Sequence, residues 1–172
     1  MRAMGPGSVS SLLKTALDVV YYVLLGVAGV LLVLAALVLI LSYDPGRDVT
    51  LPDGVKVTLT AAMLAEGLAL FALYLGVVVV VLGRVRRLFA TLTIGDPFHP
   101  ANVNRLRWIG VGLAALEALN VLGRMLINWQ IPSAVRGTPI DVTAWFSVLV
   151  VFVLAEVFRE GARLRREAEL TI

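Results

Sequence analysis

Hydrophobic positions along this chain fall into four long blocks separated by short polar stretches. Val19 to Leu41 runs for 23 residues without a charge, and at 1.5 Å per residue it is long enough to cross a hydrocarbon layer of about 30 Å. Ala61 to Leu82 carries one charge, Glu66, and ends in the five valines Val77 to Val81. Ile109 to Ile131 carries Glu117 and Arg124, with Trp108 and Trp129 at the places where interfacial aromatics are expected. Val142 to Phe158 is shorter, has Trp145 near one end and Glu156 near the other, and is expected to continue as helix through Arg159 to Glu169. The first block is too long for a signal peptide's apolar core. It also ends in Ser42-Tyr43-Asp44-Pro45-Gly46 rather than a small-residue cleavage site, so it is expected to persist as a span.

The connecting segments predict local structure of their own. Val49 to Leu59 alternates on both sides of Pro52-Asp53-Gly54, the pattern of a small hairpin. It reads as an ordered linker, with a lid or a receptor surface for an outside ligand, such as a membrane-active peptide, as the functional alternative. Span two is expected to run on as helix to about Thr93, with Gly95 as a left-handed cap, and Pro100 is placed to open the next helix. The expected fold is an all-α integral membrane protein, a single membrane domain over residues 1–172. It is a four-transmembrane-helix antiparallel bundle with spans at about 19–41, 61–82, 109–131 and 142–158. A connecting loop covers 83–108, a helical tail covers 159–172, and a hairpin-like loop lies between spans one and two.

Composition agrees with the pattern. Hydrophobic residues make up 59% of the chain and charged residues 16%, against roughly 45–50% and 25% in soluble domains. The net charge of +3 raises nucleic acid as a partner, but the placement of the basic residues answers to topology. Of 15 Lys and Arg, eleven lie in the amino terminus, the second loop and the carboxyl tail, and three in the first and third loops. Both termini and the second loop are therefore expected in the cytoplasm, against the anionic leaflet, and no direct nucleic-acid binding is expected. The chain has no cysteine, which removes disulfides and thiolate chemistry. Its one histidine, His99, sits between Phe98 and Pro100 and reads as a turn residue without a second histidine to share a metal. No cofactor is expected.

The candidate chemistry inside the membrane is a stripe. Glu117, Asn120, Arg124 and Asn128 follow at spacings of three, four and four, so they share one helical face. Glu66 on span two lies at about the depth of Arg124, which makes the two a candidate ion pair. Glu117 is deeper, and is expected to be protonated, hydrogen-bonded to Asn120, or paired across a subunit boundary. The stripe fits a packing device between spans two and three, helped by Ala65, Ala69, Ala72, Gly110, Ala114 and Ala118. It also fits a proton or substrate pathway through Glu66, Glu117 and Arg124. Packing is favoured, because a bundle this small has little room for a path and shows no inverted repeat.

Enzyme signatures are missing: there is no Gly-x-Ser-x-Gly, no His-Glu-x-x-His and no Walker loop, so an enzyme is not expected. Gly95-Asp96-Pro97-Phe98 with Asn102, Asn104, Arg105, Leu106 and Arg107, together with the tail from Ala155 to Arg165 and the ending Glu169-Leu170-Thr171-Ile172, resembles the bacterial DUF2975 membrane proteins. The resemblance runs from about residue 15 to the end. It implies a small four-span inner-membrane protein of unknown biochemical function, and its genes' frequent neighbour, a small Cro-type helix-turn-helix repressor, implies a cytosolic partner. Both lines of reasoning lead to a regulatory or scaffolding protein of the inner membrane, docking through Asp96, Phe98, Asn102, Arg105, Glu156, Arg159, Glu160 and Arg163. The competing reading of these residues is internal: Glu156 and Glu160 pair with Arg105 or Arg107 and lock the tail under the turn. The alternative function is a small proton-linked transporter or channel on the Glu66, Glu117 and Arg124 stripe. Homo-oligomerisation is compatible with either.

Overall fold

In a computed structural model, residues 9–42, 46–50, 56–93, 98–131 and 140–170 are described. Four long helices carry the chain: α1 (Val9–Leu41), α2 (Ala61–Thr93), α3 (Pro100–Gln130) and α4 (Val142–Glu169). All four are long and apolar enough to cross a membrane. Each outruns the apolar block that predicted it. The blocks report only the segment that lipid can cover, whereas helix continues as long as no breaker intervenes. Pro100 opens α3 as expected, since its missing N–H falls where a helix has no acceptor to offer. At the other end of the chain, α1 begins at Val9, ten residues ahead of its uncharged block.

Between α1 and α2, strands β1 (Arg47–Thr50) and β2 (Lys56–Leu59) pair antiparallel with Val49 opposite Val57. Thr58 donates from its hydroxyl to Asp48 Oδ1 at 2.7 Å across the ladder. Gly46 has φ of 97°, and a Cβ there would meet the Thr58 methyl, so glycine suits this position on two grounds. The Pro52-Asp53-Gly54 turn and the Gly95 cap lie outside the described residues, as does Arg136 of the third loop.

The chain divides into two compact units. The first comprises residues 1–23, 77–117 and 141–172. Its core is Leu106, Ile109 and Ala155, with Val81, Val85, Leu88, Leu113, Val151 and Phe158 packed against them. Antiparallel register between α3 and α4 can be followed contact by contact. Glu117 meets Asp141, Gly110 lies under the Phe152 ring, and Phe98 lies on Gly161 and stacks at 5.6 Å on Phe158. Between α2 and α3, Val81 sits over Gly112, and Arg105 reaches the Arg87 carbonyl. Gly110, expected to bring α3 close to α2, instead receives α4. In α1 of the same unit, Asp18 pairs with Arg86, whose guanidinium also covers Tyr21 at 4.5 Å and Tyr22 at 5.5 Å.

The second unit comprises residues 24–76 and 118–140. Ala28 and Ala35 of α1, Ala65, Ala72 and Leu75 of α2, and Val57 of β2 are its buried apolar side chains. Small residues at these places let the helices approach closely, which is how apolar helices gain contact where lipid competes equally for their surface.

Large apolar side chains cover the outside of α1 and α4, among them Val19, Val23, Leu32, Leu39, Phe146, Leu149 and Val153. Surface of this kind over whole helices belongs in lipid rather than water, and the chain is a multi-pass membrane protein. Gly112→Val is expected to lower the unfolding free energy in detergent by about 1–3 kcal/mol, because a branched side chain would run into Val81. Gly26→Ala, with nothing within 4 Å of the added Cβ, is expected to change it by less than about 1 kcal/mol. Equal effects in a chemical-denaturation series would show that the Gly112 contact does not hold α2 to α3.

Candidate functional site

Three groups of polar side chains stand out, and the first is centred on Asn102. Asn102 is completely buried (0%) in the first turns of α3. Its Oδ1 accepts from Arg105 Nη1 at 2.8 Å and lies 3.0 Å from Thr91 Oγ1. The Thr91 hydroxyl is also 2.7 Å from the Leu88 carbonyl, so its single proton is shared between two acceptors. Arg105 spends a second hydrogen bond on the Arg87 carbonyl at 2.8 Å, one of the carbonyls facing the last turns of α2. Just ahead of the helix, His99 Nδ1 accepts from the Ala101 N–H at 3.1 Å and the His99 carbonyl accepts from Asn102 N–H at 2.8 Å. The one histidine is thus the turn residue that its neighbours predicted.

The second group forms a groove of about 640 Å³ between the start of α3 and the tail of α4. Pro100 and Val103 form one wall, and Arg159, Glu160, Ala162, Arg163, Arg166, Glu167 and Leu170 line the other. Phe98 sets the separation of the walls. A Cβ at Gly161 would stand 2.5 Å from the Phe98 ring, so only glycine lets the ring lie flat on α4. The expectation that Glu156 and Glu160 reach across to Arg105 or Arg107 is overturned. Glu156 pairs with Arg159, and Glu160 accepts from Arg163 Nη2 at 2.6 Å, both one turn along α4 itself. Arg163 Nε also lies 3.7 Å from Glu167. Three residues along a helix bring charges together without any tertiary contact, and Arg105 is already committed to Asn102 and Arg87. The tail is held by an aromatic ring on a glycine rather than by charge. Asp96 lies outside the described residues.

The third group is the stripe, which the structure divides between the two units. Glu117 is buried (5%) in the first unit, where its Oε1 accepts the backbone N–H of Asp141 at 3.2 Å. The partner seen within the chain is the amide at the start of α4 rather than Asn120. Asp141 completes that terminus by accepting from Thr143 N–H at 2.8 Å and Ala144 N–H at 3.3 Å. Asn120, Arg124 and Asn128 belong to the second unit and are exposed on the bare protein surface. Glu66, expected to pair with Arg124, accepts instead from Gln130 Nε2 at 2.6 Å. Glu66, Asn120, Arg124 and Gln130 all line one cavity of about 340 Å³ between α2 and α3, with Met63, Leu70, Phe71 and Tyr74 as apolar and aromatic walls. Gln130 went unnoticed in the sequence because it closes α3 beyond the regular three-and-four spacing of the stripe.

Several arginines that topology alone accounts for also have structural partners. Arg84 lies 5.7 Å over the Trp108 ring, Arg86 joins Asp18 and two tyrosines, and Arg105 joins α2 to α3. Asn102→Ala is expected to cost about 1–3 kcal/mol, because Arg105 and Thr91 would lose a buried acceptor that water cannot replace. Thr91→Val should cost less, since Arg105 keeps its bond. The order of the two in detergent unfolding checks the network, and a neutral Asn102→Ala would break it.

No curated protein and no solved structure matches the chain. One family does match, described as a protein of unknown function, over residues 52–172. That span begins later than residue 15, after all of α1 and the first strand, and takes in β2, helices α2 to α4 and all three polar groups. Covering well over half of the sequence, the match shows that the chain belongs to the DUF2975 family.

Proposed function

We propose that this is a regulatory or scaffolding protein of the bacterial cytoplasmic membrane. It crosses the bilayer as an antiparallel four-helix bundle with both termini inside, and docks a cytosolic partner on the α3–α4 groove. The observation that carries the reading is the groove itself, with an apolar wall of Pro100 and Val103 facing Arg159, Arg163 and Arg166 interleaved with Glu160 and Glu167. Its charges are easily redirected: the Glu156–Arg159 and Glu160–Arg163 pairs are about half exposed, and such pairs are worth only about 0.2–1 kcal/mol. A partner can take over these arginines at little cost, while Phe98 on Gly161 keeps the walls in place. The basic residues of the termini and second loop orient the groove to the cytoplasm. The occupant proposed for the groove is a small helix-turn-helix regulator of the Cro type, the partner that the family resemblance suggests.

A path for protons or solute along Glu66, Glu117 and Arg124 is the weaker reading. Its support is the cavity holding Glu66 and Arg124. Against it, Glu117 Oε1 accepts the backbone N–H of Asp141.

Affinity purification of the intact protein in mild detergent, followed by mass spectrometry, tests the docking reading. A small DNA-binding protein is expected to co-purify with the wild type and to fall at least about tenfold when Arg159, Arg163 and Arg166 are changed together to Ala, the loss expected for about 1.4 kcal/mol. Unchanged recovery of that protein, with unchanged transcription of its target, would sink the proposal. Charge-dependent flux in liposomes that disappears in Glu66→Gln would move the function to the stripe.

A further inference from the structure

The cavity between α2 and α3 has a composition that docking at the other site does not use. On α2, Met63, Glu66, Gly67, Leu70, Phe71 and Tyr74 follow at spacings of three, one, three, one and three, the lining face of a helix. From Met63 to Tyr74 that face is about 16 Å long at 1.5 Å per residue. Gly67 on one wall and Gly123 on the other both open onto empty space, with nothing within 4 Å of where a Cβ would stand. The helices are therefore not brought together here by these glycines; the missing side chains leave room.

Charge in this space is arranged by sign. Gln130 donates to Glu66 Oε2 at 2.6 Å, and the carboxylate of Glu66 and the amide of Gln130 both line the cavity. Arg124, whose guanidinium offers only donors, lies on the α3 wall together with Asn120. The remaining lining is apolar or aromatic, and both helices present exposed apolar side chains next to it, including Phe71, Leu73, Leu122 and Met125. A ligand suited to this lining carries an anionic group and an N–H-bearing cation and continues into hydrocarbon.

We propose that this cavity is a headgroup site for a zwitterionic phospholipid of the ethanolamine type. The phosphate lies against Arg124 and Asn120, the ammonium donates to Glu66 and the Gln130 carbonyl, and the acyl chains run over the apolar faces of α2 and α3. Charge complementarity selects this occupant. A phosphoglycerol headgroup brings only negative charge and faces the Glu66 carboxylate, and a choline headgroup has no N–H to give it. At about 340 Å³ the space takes a headgroup and the glycerol end, not a whole lipid.

The test is native mass spectrometry of the full chain released from nanodiscs made with equal parts of ethanolamine, glycerol and choline phospholipids of matched acyl chains. Wild type is expected to retain the ethanolamine lipid about fivefold over the choline lipid, the margin of one charge-assisted hydrogen bond. Glu66→Gln is expected to bring that ratio close to one, and Gly67→Leu, which fills the cavity from α2, to lower retention of all three lipids. Circular dichroism of each variant reports its helicity. Should Gly67→Leu fail to fold, Gly123→Leu fills the same space from α3, and Glu66→Gln, which changes no volume, decides the headgroup preference alone. Retention of the three lipids in proportion to their supply, or a preference that survives Glu66→Gln, would overturn the proposal. Neither outcome bears on the α3–α4 groove, whose residues are not touched.

Discussion

The first amide protons of a helix have no acceptor within the helix itself, and one left bare away from water costs several kcal/mol. At the start of α4 this need is met from two directions: Asp141 turns its own carboxylate onto Thr143 and Ala144, and Glu117 of α3 accepts the amide of Asp141. The consequence is a fixed register. Sliding α4 along α3 by one turn would leave the Glu117 carboxylate buried without its donor, and it would carry Phe98 off Gly161 onto a residue with a side chain in the way. Gly110 beneath Phe152 adds a third point that tolerates no slip. Everything built from α3 and α4, the basic groove included, inherits its shape from this alignment.

Basic residues in such a protein divide into those that hold it together and those that remain available. Arg86 and Arg105 are half-buried and satisfied several times over, by a carboxylate and two tyrosine rings in one case and by a carbonyl and an asparagine in the other. Removing Arg105 would leave the buried Asn102 without one of its donors. Among the described residues, Arg159 and Arg163 pair with glutamates on their own helix, in exposed geometry where Coulomb attraction is screened and side-chain entropy opposes it. Counting arginines reports orientation, but only the structure separates the two kinds.

The four helices were legible because lipid imposes a length and a composition on whatever crosses it, and no tertiary contact is needed to meet them. Val49 and Val57 were likewise readable as cross-strand partners from alternation around a turn. The errors share one physical origin. Spacing reveals which side chains lie on a common face, but not which groups they face: Glu117 met a backbone amide, which has no letter in the sequence, and Glu66 met Gln130 rather than the opposite charge at similar depth. Lipid rewards any satisfied hydrogen bond, so an amide is as good a partner as an arginine there. The tail failed for a related reason. Opposite charges three residues apart on one helix satisfy each other, and the contact that holds the tail is a glycine, whose meaning depends on the ring above it.

Helix α3 is the least apolar of the four, and its polar residues explain how it is nevertheless kept in the membrane. Glu117 and Arg124 each cost about 2.5–3.5 kcal/mol near the middle of a span, and its leucines, isoleucines and valines return about 0.3–0.6 each, so α3 alone is close to break-even. What tips the balance is the use to which each polar group is put. Asn102 and Arg105 bind α2, Glu117 binds α4, and Asn120, Arg124 and Gln130 face a cavity that holds polar atoms of both helices. A helix that enters the membrane only with its neighbours places its polar groups at the contacts between helices. Those contacts are also where a membrane protein can bind something other than lipid tails. In this chain the requirement for insertion and the capacity for recognition therefore fall on the same residues of α3.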